Sequence, residues 1–245
     1  MGRYILKFTK EKRLKYISHL DVLRLFQRAF KRAGIKLSYS KGYNPHAKVG
    51  FALPLSLGFE SSGEYMEIET ELDYKEDEIK DGLNAIMPDG IEITACGRLA
   101  ETSKTAVAAV LDFASYKILF SGDADDAQKL ESAVKPFMKQ ESIITVKFSK
   151  KKKKNIESDI RPHIRSVTTV KTGGGLLFSM MLATGSRGNL NPEVLVDELC
   201  RFAGVDYSRP QWAYRRMEMY YLEGRNDMIP LSEFKGEKRS KTGAK

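Results

Sequence analysis

A chain of 245 residues that is 42% hydrophobic and 30% charged has the apolar material for packed cores and the length for two domains, which excludes wholesale disorder. No apolar run reaches the ~18–20 residues a helix needs to cross a bilayer, so no membrane is expected, and two distant cysteines, Cys96 and Cys200, exclude a disulfide framework and point to the cytoplasm. The net charge of +9 is unevenly spread: residues 1–52 carry 13 Lys/Arg against 2 Asp/Glu, whereas residues 53–142 carry 8 against 19. Such separation steers an anion toward one side.

Residues 3–9 alternate, with Tyr4, Leu6 and Phe8 on one side and Arg3, Ile5 and Lys7 on the other, a half-buried strand. Ser18 is the N-cap of a helix that runs to about Ala33 and stops at Gly34. Residues 36–63 predict an irregular loop, a strand near 49–57 and a turn. A strand over 64–72 puts Met66, Ile68 and Leu72 inward and Tyr65, Glu67 and Glu69 outward. A helix over 75–87 and a strand over 91–99 complete the order β-α-β-β-α-β, the ferredoxin-like split, with two helices on one face. Residues 100–112 are a small-residue linker. The order then recurs: a strand at 113–120, a helix at 123–140, strands at 143–148, 167–170 and 176–183, a helix after Asn191-Pro192, and a strand at 212–222. The expectation is an α+β protein of two tandem ferredoxin-like (βαββαβ) domains, 1–99 and 113–223, joined by the 100–112 linker and followed by a disordered basic tail, 224–245.

The first helix carries the clearest functional signal. Val22, Leu23, Leu25, Phe26, Ala29, Phe30 and Ala33 share one face, and Arg24, Arg28, Lys31 and Arg32 share the other. Helices that only need solubility mix signs along a face, and a single-sign stripe repels itself unless an anion visits it. The loop Ser40-Lys41-Gly42-Tyr43-Asn44-Pro45-His46-Ala47-Lys48 follows. It combines cations for phosphates (Lys41, Lys48), rings for stacking (Tyr43, His46), Asn44 for base edges and Gly42 for close approach; a tight turn set by Asn44 and Pro45 is the alternative. Arg187, in the Gly-rich stretch before the helix at Asn191, is a further phosphate candidate. The run Lys150–Lys154 adds only nonspecific attraction. Glu67 and Glu69 on the outward sheet face argue against base stacking there and for recognition by helix and loop.

For acid–base chemistry the candidates are His19 and His46, with Tyr43 or Lys48 nearby, and His19 sits on the apolar flank of its helix. Metal-ligand spacing is missing, and no cofactor is expected.

The stretches Tyr16-Ile-Ser-His-Leu-Asp-Val-Leu-Arg, Tyr39-Ser-Lys-Gly-Tyr-Asn-Pro-His, Phe51-Ala-Leu-Pro-Leu-Ser-Leu-Gly and Gly63-Glu-Tyr-Met-Glu-Ile resemble the radical-SAM-linked protein family, a domain family of unknown function. The resemblance implies association with a cobalamin-binding radical-SAM protein and carries no catalytic residue. The chain itself lacks the three clustered cysteines that hold a radical-SAM cluster. The expected function is an RNA-binding accessory protein, meeting rRNA or tRNA and a radical-SAM or RNA-processing enzyme. A metal-independent endoribonuclease and a protein-docking subunit without RNA contact, its docking segment the acidic residues 60–92, are the alternatives.

Overall fold

The structure, a computed structural model, describes residues 1–100, 105–149, 153–185, 188–224 and 227–236. It is a mixed α+β protein with antiparallel sheet and helices. Two compact units divide the chain: residues 1–112 with 216–245, and residues 113–215.

In the first unit, β1 (Gly2–Lys10) is followed by α1 (His19–Arg32), β2 (Val49–Phe51), β3 (Glu60–Thr70), α2 (Glu76–Asn84), β4 (Ile93–Arg98) and the short α3 (Val107–Val110). β1 lies between β4 and β3, antiparallel to both, with Leu6 opposite Met66 on one side and Cys96 on the other. β2 pairs with β3 at Val49–Ile68 and Phe51–Met66. Tyr4, Leu6, Phe8, Met66 and Ile68 point to the helical side, where they pack with Val22, Phe26, Phe30, Ile79 and Leu83. Phe26 meets Phe8 edge to face, ring centroids 4.8 Å apart. β3 stops at Thr70, so Leu72, expected inward, is exposed.

In the second unit, β5 (Phe113–Phe120), α4 (Ala124–Met138), β6 (Ile144–Ser149), β7 (Lys154–Asp159), β8 (Ile164–Thr172), β9 (Gly175–Ala183) and α5 (Pro192–Ala203) lead into β10 (Trp212–Glu223). The strand order is β10-β5-β9-β8. β6 and β7 stand apart as a two-stranded sheet with Ile144 opposite Asp159. The strand read at 143–148 is therefore an inserted hairpin arm and not a member of the main ladder. Gly175, at φ +129°, leaves no room for a side chain: a Cβ would stand 2.0 Å from the Phe120 carbonyl oxygen.

β10 starts in the second unit and ends in the first, where its later residues lie beside β3. β11 (Asp227–Pro230) then pairs with β10, with Tyr221 opposite Ile229. Residues 227–234, read as part of a disordered tail, are thus ordered because Leu231 and Phe234 are apolar anchors: both are buried, and Phe234 meets Tyr221 at 5.5 Å. Residues 237–245 lie outside the described residues.

The face of the first sheet opposite its helices, where the alternation places Glu67 and Glu69, is covered. Tyr65 and Ile5 are buried there. Arg3 bonds both Glu67 and the Thr105 carbonyl, and the Val107 N–H donates to Glu67 at 2.9 Å. Lys7 pairs with Glu218, which also accepts from Tyr65. The linker and the C-terminal anchors supply this second layer. Alternation in 3–9 and 64–70 locates the faces correctly but says nothing of what covers the outer one.

Candidate nucleic-acid interface

α1 is fixed at both ends by its own sequence. The Ser18 hydroxyl accepts from the Asp21 N–H at 3.2 Å, and Gly34 at φ +73° lets the chain leave the last turn. Val22, Phe26, Ala29 and Phe30 bury the inner stripe. That burial fixes the outer one, where Arg24, Gln27, Arg28 and Lys31 follow one another at helical spacing.

After Gly34 the chain runs back along the end of the sheet. Ile35 and Leu37 insert into the core, and Leu37 bridges Thr70, so Lys36 between them faces outward. Tyr39 bridges Ala47, the Ser40 N–H donates to the His46 carbonyl at 2.8 Å, and the His46 N–H donates to the Ser40 hydroxyl at 3.0 Å. A narrow hairpin-like loop results, with Lys41, Tyr43 and Asn44 exposed at its tip and Gly42 at φ +141° allowing the bend.

Between this loop and α1 lies a cleft of about 760 Å³. Arg24, Gln27, Arg28 and Lys31 form one wall; Lys36, Tyr39, Pro45, His46 and Ala47 form the other; the buried Phe30, Ile35 and Leu37 lie beneath, and Glu71 is the one acidic residue of the lining. Arg24 pairs with Asp21 at 3.2 Å in an exposed i,i+3 pair, which holds it weakly. The Ser18 hydroxyl, with Arg24, keeps the Asp21 carboxyl below its ordinary range. Arg28, Lys31 and Lys36 have no ion-pair partner among the described residues. Cations whose field is not cancelled by the protein's own acids are what an anionic ligand needs.

The candidates named from sequence are not all in this cleft. Arg24, Arg28, Lys31 and His46 line it. Arg32 is exposed on α1 but outside the lining, and Lys41, Tyr43 and Asn44 sit at the loop tip. Lys48 is engaged by Glu69, its neighbour across the β3 edge, and does not line the cleft. Arg187 and Lys150 to Lys152 lie outside the described residues. Sequence reasoning missed Gln27, Lys36, Tyr39 and Glu71. Gln27 was signalled by its place in the Arg24–Lys31 stripe and Lys36 by its alternation with Ile35 and Leu37. Glu71 had no local signal, because tertiary pairing alone sets its N–H 2.9 Å from the Lys36 carbonyl.

His19 and His46 line different cavities. His19 packs edge-on against Phe51, centroids 4.8 Å apart, beside the buried Lys10 and Glu64. Burial, and then Lys10, lower its pKa. Lys10 donates to the Ile17 carbonyl at 3.0 Å, and burial lowers its pKa too. Glu64 accepts two hydrogen bonds from Arg216, at 2.9 and 3.1 Å. Among the described residues no group of three or more His, Cys, Asp or Glu is placed to hold a metal ion, and no helix is long and apolar enough to cross a membrane.

No curated protein matches the sequence. Among solved structures the chain is similar to a component of the "Cbf5-Nop10-Gar1 Complex", with 10% identity and a TM-score of 0.44, over 88% of this chain and 48% of that one, so it spans about half of that protein's length. It is also similar to an unknown protein from Galdieria sulphuraria, with 13% identity and a TM-score of 0.26, over 88% of this chain and 98% of that one. A third likeness is DyPB from Rhodococcus jostii RHA1, with 11% identity and a TM-score of 0.21, over 82% and 83% of the two chains. The model of one bacterial family matches residues 3–192, well over half of the sequence, and the chain therefore belongs to the family described as "Uncharacterized protein conserved in bacteria (DUF2344)".

Proposed function

We propose that this chain is an RNA-binding accessory protein that presents rRNA or tRNA to a radical-SAM or RNA-processing enzyme in the cytoplasm. The observation that carries the reading is the cleft in which Arg24, Arg28, Lys31 and Lys36 converge beside the rings of Tyr39 and His46. Guanidinium and ammonium groups attract phosphates, and flat side chains stack on bases. The reading of each unit as a ferredoxin-like βαββαβ fold belongs to the same proposal. It is supported by the strand orders β4-β1-β3, with β2 on β3, and β10-β5-β9-β8.

Fluorescence anisotropy with a single-stranded RNA across a salt series tests the binding. With about four phosphates engaged, log K falls against log salt with a slope near −2.8, and the double variant Arg28→Ala/Lys31→Ala reduces the slope by about 1.4. Absent binding, or binding indifferent to salt, overturns the reading.

His46 in the cleft favours a second reading, a metal-independent endoribonuclease with the imidazole as general acid or base. Cleavage of RNA in EDTA that His46→Ala abolishes supports it, and intact RNA refutes it. Protein docking would fall to α2, since Glu67 and Glu69 are engaged within the unit while Asp77 and Asp81 are exposed. Co-purification of a radical-SAM partner, lost in Asp77→Lys/Asp81→Lys, checks it; co-purification unchanged by those substitutions removes that surface.

A further inference from the structure

The cleft is not uniformly cationic. Beside Arg24, Arg28, Lys31 and Lys36 the lining includes Glu71, an exposed residue with no ion-pair partner among the described residues. A surface that only gathers phosphates is weakened by such a group, because its charge opposes the approach of another anion. The carboxylate has a use only if the ligand also brings hydrogen-bond donors. A carboxylate accepts through two oxygens and donates nothing when ionised. Of the four RNA bases, guanine alone presents two adjacent donors on its pairing edge, the N1–H and the N2 amino group, the match for two carboxylate oxygens. Uracil offers one ring N–H flanked by carbonyl oxygens that repel a carboxylate. Adenine and cytosine set an acceptor nitrogen beside their amino group.

The rest of the lining suits the same ligand. The Tyr39 ring, 56% exposed, gives a flat surface for a base plane, and the Gln27 amide supplies a donor for a carbonyl oxygen. The volume of about 760 Å³ lies in the range of sites for single small molecules. Such a cleft takes one nucleotide turned out of a strand. Within an A-form duplex the pairing edge of guanine is already occupied.

Building on the proposed RNA binding, we infer that this cleft holds an unpaired guanine nucleotide, with Glu71 accepting from N1–H and the N2 amino group and the surrounding cations on the flanking phosphates. The test uses three oligouridine strands of equal length, with guanosine, inosine or uridine at the central position. Inosine differs from guanosine only by lacking the N2 amino group. The guanosine strand is expected to bind about tenfold more tightly than the inosine strand. Annealing it to a complementary strand removes the advantage. Glu71→Ala raises affinity for the uridine strand, because a like charge is gone, and brings the guanosine-to-inosine ratio to about one. A merely electrostatic Glu71 would raise all three affinities alike and leave the ratio unchanged. Equal affinity of the three strands for the unaltered protein overturns this inference while leaving RNA binding in place. Failure of every strand to bind overturns both.

Discussion

Arg216 and Glu64 meet where each keeps only 4% of its side-chain surface. Arg216 also donates toward the Leu53 and Pro54 carbonyls. Buried opposite charges do not stabilise much relative to a well-packed apolar pair, but removing one partner leaves the other charged and dehydrated. Arg216→Met is therefore expected to cost about 3–5 kcal/mol in urea unfolding, and adding Glu64→Leu should recover a large part of that. No recovery in the double variant would show that the guanidinium acts through its carbonyl bonds. Little of this was legible in the sequence. Glu64 shares the parity of Met66 and Ile68, which marks it as inward, but its partner stands 152 residues away. The cleft divides along the same line. Arg24, Arg28 and Lys31 follow from helical spacing within one element, whereas Lys36 and Glu71 join them through pairings that periodicity does not encode.

Elements were read best where one stripe of residues met one core. α1 begins at the Ser18 cap and ends at Gly34 because capping and left-handed backbone are local properties. Pairing partners are not local, and so β6 and β7 leave the main sheet while β10 and β11 extend the first unit. Gly63 marks where this matters. A Cβ there would stand 2.6 Å from the Met217 carbonyl oxygen, a backbone atom with little freedom to move. Gly63→Ala should therefore force β3 and β10 apart, at a cost on the order of 1–3 kcal/mol, typical of overpacking. Thermal unfolding checks the loss, and hydrogen exchange should show it concentrated in residues 61–66 and 215–220. A variant as stable and protected as the parent would mean that the two strands yield without strain.

At the scale of the molecule, the first unit is discontinuous: residues 1–112 supply α1, the loop and the cleft, and residues 216–236 supply part of β10, β11, Leu231 and Phe234. A fragment comprising residues 1–112 would leave Glu64 without Arg216 and Tyr65 without Glu218. Such a fragment should lack the cooperative unfolding of the whole chain and gain it when joined to residues 216–236 by a flexible linker. Calorimetry of the two forms decides the point, since a cooperative transition in the short fragment would show that the second segment is dispensable. The β-α-β-β-α-β order is complete by residue 99, and the order alone carries no measure of how much apolar surface remains uncovered.

This interruption bears on how the protein is made. Every side chain lining the cleft leaves the ribosome by Glu71, yet the strand and anchors that close the sheet behind it follow only after residues 113–215. At about 5–20 residues per second, translation holds the two parts of the unit apart for roughly 5–20 s. A nascent chain in that interval has synthesised its cleft-lining side chains before the scaffold that orders them.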